Sequence, residues 1–209
     1  MHRSFFMMSM LLVLACSASA SSYVMDDGTA EAAVTFPGYN FAWLNNFIAD
    51  PNEDTIDNIA VSFGPGVTPG QAFEVFLWED PDDNGDLRWD AQLLARMPAT
   101  AEAFAIGTNE FQIVDIPDTL VSNSFFVGVY TTENMGQAAA ALDTNTVLHK
   151  SWLSGVNSGT WNPENPQNGI CMHVEDIFGQ GTFLLRANMV PEPASLLMLG
   201  LLGLTLRRR

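Results

Sequence analysis

The chain has 209 residues and a formal net charge of −16, because 24 acidic residues face only 8 lysines and arginines. This charge excludes nucleic acid as a partner, since a phosphate backbone is bound by clustered positive side chains. Once short segments at both ends are set aside, the remaining length suits one domain with a substantial core.

Residues 1–20 have the pattern of a secretory signal peptide. His2 and Arg3 give a positive start, and an apolar run follows from Phe5 to Ala15. The small residues Ala18-Ser19-Ala20 then suit signal peptidase, so we predict cleavage after them and secretion by the general route.

A lipoprotein signal with an acylated Cys16 is the alternative at this end. Val13 and Leu14 depart from the leucine and the small residue expected before such a cysteine, so general secretion is favoured. If Cys16 leaves with the signal peptide, Cys171 is alone and the mature chain forms no internal disulfide.

Residues 21–188 are predicted to form an acidic all-β domain. Short apolar or alternating runs recur between turn-forming residues, and helical periodicity is nearly absent. About ten strands at this spacing favour a two-sheet sandwich or a jelly roll. Gln137 to Leu142 is rich in alanine and also suits a short helix, and Asn162 to Gly169 suits a loop. The predicted strands are Ala32 to Phe36, Asn40 to Ile48, Thr55 to Phe63, Ala72 to Trp78, Ala91 to Met97, Glu110 to Ile116, Ser124 to Thr131, Val147 to Leu153, Ile170 to Val174 and Thr182 to Ala187.

This body resembles a recurring type of exported bacterial β-sandwich. The stretches that carry the resemblance are Asp26 to Glu31, Ser124 to Tyr130, Ala141 to Thr144 and Ser151-Trp152. The resemblance implies a sandwich over residues 23 to 187, and it implies no activity.

An acidic stretch beginning at Asp80 is the strongest local pattern. Oxygen-bearing side chains at alternate positions precede Gly85, as in the first half of a calcium loop. The acid expected at the twelfth position falls on Ala91, so a calcium-stabilised turn is favoured over an EF-hand. The alternative is a solvated hairpin with no ion. The candidate calcium ligands are Asp80, Asp82, Asn84, Asp86 and Asp90.

Two tryptophans in loop-like sequence, Trp89 and Trp161, are candidates for a sugar-binding platform. An exposed indole ring stacks on the apolar face of a sugar, and nearby acidic side chains accept hydrogen bonds from the hydroxyl groups of the sugar. The alternative is that these rings belong to the core.

Catalytic patterns are weak in this sequence. Cys171 and His173 lie two residues apart on a predicted strand, which is roughly 6.6 Å and beyond the reach needed to activate a thiol. His149 and His173 are too few for a convincing zinc site, and no nucleophile elbow or phosphate-binding glycine loop is present. A carboxylate pair for glycoside hydrolysis stays open among the many acids, but no spacing singles one out. We therefore predict that the protein is not an enzyme.

The C-terminal segment has three parts. Pro191, Glu192 and Pro193 precede an apolar run from Ala194 to Leu206, and Arg207, Arg208 and Arg209 follow it. The run would span roughly 20 Å as a helix, which is short of the ~30 Å hydrocarbon core and makes a weak permanent anchor. The arginines favour a cytoplasmic location for this end.

This ending resembles the PEP-CTERM sorting signal, a tail that also goes by the name of the ice-binding protein C-terminal domain. The resemblance implies that residues 189–209 contain a short transmembrane helix, which anchors the protein in the inner membrane only temporarily. It also implies that a sorting protease of the exosortase type cuts near the Pro-Glu-Pro motif. A permanent tail anchor is the alternative.

Two functions follow from these patterns. The first is a non-catalytic cell-surface or extracellular-matrix protein, which acts within extracellular polysaccharide after sorting. The second is a carbohydrate-binding module that uses the tryptophans and the acidic stretch.

Overall fold

Strands dominate the computed structural model, which describes residues 21–50, 55–131 and 134–190. Within these ranges the strands are β1 (Ser22–Tyr23), β2 (Ala32–Thr35), β3 (Asn40–Ile48), β4 (Thr55–Val61), β5 (Ala72–Asp80), β6 (Gln92–Thr100), β7 (Gln112–Leu120), β8 (Ser124–Thr131), β9 (Ala138–Asp143), β10 (Ser151–Val156), β11 (Ile170–His173), β12 (Thr182–Phe183) and β13 (Leu185–Met189). A 3₁₀-helix (Ala103–Ala105) precedes β7, and α1 (Val174–Phe178) precedes β12. The prediction of an all-β protein is confirmed.

The strands pair antiparallel in three sheets. The six-stranded sheet has the order β11-β10-β3-β8-β5-β6, the four-stranded sheet β1-β13-β4-β7, and the three-stranded sheet β12-β9-β2. β3 and β8 begin and end at the predicted residues, because both are long apolar runs bounded by turn residues.

The six-stranded sheet buries both of its faces. Phe41 and Trp43 of β3 pack in the main core with Ile59 and Leu185 of the four-stranded sheet. Leu44 belongs instead to a second apolar cluster, since successive side chains of a strand point to opposite faces. The second cluster contains Ala42, Leu44, Phe76, Trp78, Leu87, Phe126, Tyr130, Trp152 and Trp161. Burial on both faces explains why the central strands are apolar without alternation.

One buried amide connects all three sheets. Asn45 of β3 donates through Nδ2 to the carbonyl of Phe183 at 2.8 Å and to the carbonyl of Leu185 at 3.0 Å. Its Oδ1 accepts a hydrogen bond from Ser151 Oγ at 2.7 Å. Because Phe183 lies in β12 and Leu185 in β13, this side chain fixes the position where the smaller sheets meet the larger one.

The alanine-rich stretch from Gln137 to Leu142, whose composition also suits a short helix, lies largely within strand β9. β9 pairs with β2 on one side and with β12 on the other. Pairing on both sides satisfies its backbone groups, and this tertiary context overrides the helix propensity of alanine. The position of β10 also differs from the prediction. The strand occupies Ser151–Val156, whereas Val147 to Leu153 was predicted.

Several predicted features lie outside the described residues. They are the signal peptide at residues 1–20 and the sorting segment with its apolar helix, including Pro191, Glu192, Pro193, Arg207, Arg208 and Arg209. In the part of the chain that is described, no helix is long and apolar enough to cross a membrane.

Candidate functional site

The connection after β5 is an acidic loop that turns on two residues of positive φ. Pro81 lacks an amide proton, so it ends the β5 hydrogen-bond ladder after Asp80. Asp83 and Gly85 then adopt φ angles of 57° and 71°, which reverse the chain toward β6. Residues 81–91 are called the acidic loop below.

Asp80 lies fully buried at the base of the acidic loop. Its Oδ2 accepts a hydrogen bond from the backbone amide of Gly85 at 2.7 Å, whereas its Oδ1 is buried without a hydrogen-bond partner. Burial raises the pKa of Asp80 and the charge of Asp90 adds to the increase, while the Gly85 amide and the Ser124 side chain oppose it. A buried carboxylate oxygen in this position is costly unless a proton or a cation reaches it.

Asp82 and Asp90 complete a group of three carboxylates, which we call the Asp80 cluster. One oxygen from each of Asp80, Asp82 and Asp90 lies within 4.8 Å of the other two. The Asp82 amide donates to Asp90 Oδ2 at 3.0 Å, and Asp90 Oδ1 is buried without a partner. Burial raises the pKa of Asp90, and the charge of Asp82 adds to the increase. Each pair of such charges repels by about 1 kcal/mol in water and by more where solvent is partly excluded.

The other two predicted ligands, Asn84 and Asp86, have hydrogen-bond partners within the acidic loop. Asn84 Oδ1 accepts a hydrogen bond from the amide of Asp86 at 2.6 Å, and Asn84 Nδ2 donates to Asp82 at 2.7 Å. Both carboxylate oxygens of Asp86 accept hydrogen bonds from the guanidinium group of Arg88, which lower the pKa of Asp86. The structure therefore brings the carboxylates of Asp80, Asp82 and Asp90 together and leaves Asp86 paired with Arg88. Asn84 contacts this group through its hydrogen bonds to Asp82.

A second acidic cluster was missed by the sequence reasoning. Asp27, Glu31 and Asp143 each place one oxygen within 4.8 Å of the others. Asp143 is buried, and its oxygens accept hydrogen bonds from the backbone amides of Asp27, Asn145 and Thr146 at 2.9, 2.7 and 3.1 Å. Backbone amides thus satisfy this carboxylate without a cation. Asp143 lies far from Asp27 and Glu31 in the sequence, and the pairing of β2 with β9 brings it close to them.

The two candidate tryptophans have opposite environments. Trp89 of the acidic loop is 75% exposed. Trp161 is 2% exposed, stacks on Tyr130 at a centroid distance of 5.4 Å and donates its Nε1 proton to Ser154 Oγ at 2.7 Å. The prediction of an exposed platform at Trp161 is wrong, because this ring covers the second apolar face of the six-stranded sheet.

The cysteine and histidine of β11 are half-buried. Burial raises the pKa of the Cys171 thiol to about 12, and burial lowers the pKa of His173. The His173 ring lies 3.8 Å from the Trp152 ring, centroid to centroid. A thiol that keeps its proton at neutral pH is a poor nucleophile, since the thiolate is the reactive form.

Comparisons with known proteins identify the C-terminal segment and the fold. Residues 190–209 match the family model of the PEP-CTERM protein-sorting motif. No curated protein matches the chain. Among solved structures, the Clostridial cysteine protease Cwp84 after propeptide cleavage is 13% identical, with a TM-score of 0.56 over 81% of this chain and 40% of that chain. A structure of the cysteine protease and lectin-like domains of Cwp84, a surface layer associated protein of Clostridium difficile, is 14% identical, with a TM-score of 0.47 over 72% of this chain and 32% of that chain.

The likeness to the first of these structures concerns the fold alone, and this chain spans 40% of that solved chain. The match at residues 190–209 implies processing by an exosortase-type enzyme and export to the cell surface or extracellular space through membrane-linked sorting. The chain is an all-β protein that carries a PEP-CTERM protein-sorting motif at its C-terminal residues.

Proposed function

We propose that this chain is a non-catalytic protein of the cell surface or extracellular matrix whose tail is cut near Pro191 to Pro193 and discarded. The match of residues 190–209 to the sorting motif is the observation that carries the proposal. Burial raises the pKa of the half-buried Cys171 thiol, which makes it a poor nucleophile at neutral pH and supports a role without thiol catalysis. The apolar run is also too short for a lasting anchor, because it would span roughly 20 Å of a ~30 Å hydrocarbon core.

Mass spectrometry of the exported protein tests the proposed processing. In a host that has the sorting protease, the mature protein is expected to lack Leu196 to Arg209. Replacing both Pro191 and Pro193 by alanine should prevent cleavage, because the protease no longer finds the extended segment that it recognises. The tail should then stay on the protein, and the protein should stay in the membrane fraction.

Two controls accompany this experiment. The exposed Pro69→Ala variant should be processed like the wild type, and a host without the sorting protease should retain the tail on every variant. An intact C-terminus on wild-type surface protein would instead identify the segment as a permanent anchor.

Carbohydrate binding is the second candidate function, and the exposure of Trp89 favours it. This ring is more exposed than the other exposed large apolar side chains among the described residues, and Asp86 and Arg88 precede it in the acidic loop. An exposed indole next to charged hydrogen-bonding groups suits stacking against a sugar ring.

Retention of the full chain on immobilised polysaccharides and glycan arrays tests this candidate. Trp89→Ala should weaken retention by about tenfold or more, since the stacking surface is lost. Leu120→Ala is the matched control, because Leu120 is 65% exposed on β7 and lies outside the acidic loop. Equal retention of the wild type and Trp89→Ala would show that Trp89 does not contribute to polysaccharide binding.

A further inference from the structure

Two buried oxygens of the Asp80 cluster lack the partners that buried polar atoms normally have. No hydrogen bond of normal geometry reaches Asp80 Oδ1 or Asp90 Oδ1, and Asp80 is fully buried, so bulk solvent does not serve it. The Ser124 side chain is a polar neighbour that lowers the pKa of Asp80. Roughly 90% or more of such groups in native proteins are satisfied, so two unpaired carboxylate oxygens in one cluster need an explanation, and a bound ion is one that native proteins use.

Positive side chains do not supply that partner in the described ranges. The two ion pairs seen there join Arg88 to Asp86 and Arg186 to Asp26. The ammonium group of Lys150 donates to Asn46 Oδ1 at 3.0 Å. None of these cations pairs with a carboxylate of the Asp80 cluster.

The second acidic cluster shows that a group of acids does not by itself require an ion. Its buried member, Asp143, accepts three backbone amide hydrogen bonds, so both of its oxygens have partners. In the Asp80 cluster, by contrast, Gly85 and Asp82 supply one amide each, to Asp80 Oδ2 and Asp90 Oδ2, and Asn84 donates to both oxygens of the exposed Asp82. Asp80 Oδ1 and Asp90 Oδ1 are then the buried oxygens without a partner, and both belong to this one cluster.

The geometry points to a calcium site formed by Asp80, Asp82 and Asp90. One oxygen from each residue lies within 4.8 Å of the other two, so the three oxygens are close enough to share one calcium ion, whose bonds to oxygen are about 2.3–2.6 Å long. Calcium accepts carboxylate oxygens in a flexible shell of about 6–8 ligands, and the exposed Asp82 leaves room for water. Magnesium demands a near-ideal octahedron and gives up its water reluctantly, so it fits this cluster less well.

An ion here would join the two ends of the acidic loop. Asp80 is the last residue of β5, and Asp90 lies just before β6. Calcium would therefore order the loop, including Trp89, and would stabilise the folded protein because the cluster is assembled only by folding.

Thermal unfolding of the full chain in a mild detergent, after removal of calcium with a chelator, tests the site. Calcium at about 10 mM should raise the Tm by roughly 3–10 °C, with half-saturation at about 10⁻⁴ to 10⁻³ M as in other extracellular modules. Magnesium at the same ionic strength should give a smaller shift. Calorimetric titration with calcium should show heat with the same midpoint.

Four isosteric variants separate the cluster from the rest of the loop. Asp82→Asn and Asp90→Asn should each remove most of the calcium-dependent Tm increment. Asp83→Asn and Asp86→Asn are the matched controls and should keep it, because Asp83 lies outside the cluster and Asp86 pairs with Arg88. Asparagine tolerates the positive φ of residue 83.

Asp82 is exposed, so Asp82→Asn gives an answer even if Asp90→Asn does not fold. The proposal is overturned if the wild type shows no calcium shift beyond that of magnesium. The Ser124 hydroxyl or a proton shared between Asp80 and Asp90 would then satisfy the buried oxygens. It is also overturned if Asp82→Asn keeps the full increment, or if Asp86→Asn loses it as completely.

Discussion

Replacing Asn45 by alanine is expected to lower the free energy of unfolding by about 3 to 5 kcal/mol. The change leaves the carbonyls of Phe183 and Leu185 and the hydroxyl of Ser151 without their buried partner. Each unsatisfied buried group costs about 1–3 kcal/mol. Urea unfolding of the full chain would measure the loss as a lower midpoint.

Asn157→Ala is the matched control for this experiment. Asn157 is exposed in the loop after β10, so its replacement should change stability by about 0.5 kcal/mol or less. If Asn45→Ala costs less than about 1 kcal/mol, the amide does not hold the three sheets together, and apolar packing alone positions them.

Gly64→Ala is expected to destabilise the protein by about 3 kcal/mol or more, with a Tm lower by roughly 6–12 °C. A Cβ atom at this position would lie 2.2 Å from the carbonyl oxygen of Ala138 and 2.9 Å from Ala33 Cβ. The Gly64 amide donates to the Ala139 carbonyl at 2.8 Å, so the two backbones cannot separate without losing a hydrogen bond. Thermal and urea unfolding would both report the effect.

Gly38→Ala separates steric overlap from backbone strain. Gly38 has a φ of +82° and nothing within 4 Å of an added Cβ, so alanine there should cost only about 1–2 kcal/mol from the left-handed backbone. Equal losses for the two variants would show that the close approach of Gly64 to β9 is relieved by small shifts.

The central strands of the fold were predictable because their signal is local. Asn40–Ile48 and Ser124–Thr131 are long apolar runs bounded by turn residues, and the strands lie at those residues. The alanine-rich residues 138–143 were ambiguous, because alanine favours helices in isolation. Their two partner strands make them a strand, and no neighbouring residue in the sequence specifies those partners.

The candidate site was predictable in part for the same reason. The alternation of acids after Asp80 located the acidic loop, but it did not show which of the five candidate ligands lie close together. Asp86 lies beside Arg88, and that ion pair competes with any cation, whereas Asp90 reaches back to the amide of Asp82. Trp161 was misplaced because its sequence neighbours are loop residues, while the apolar face that buries it comes from β5, β8 and β10.

Properties that depend on the order of residues along the chain could be predicted from the residues alone. These are the strand pattern, the acidic charge, the position of the acidic loop and the sorting motif at residues 190–209, which is recognised as a linear segment. Folding established which carboxylate oxygens keep no partner, which tryptophan faces solvent, and that Asp143 lies beside Asp27 and Glu31. The burial of Asp80 and Trp161 and the position of Asp143 depend on how the strands pack together, which the neighbouring residues in the sequence do not specify.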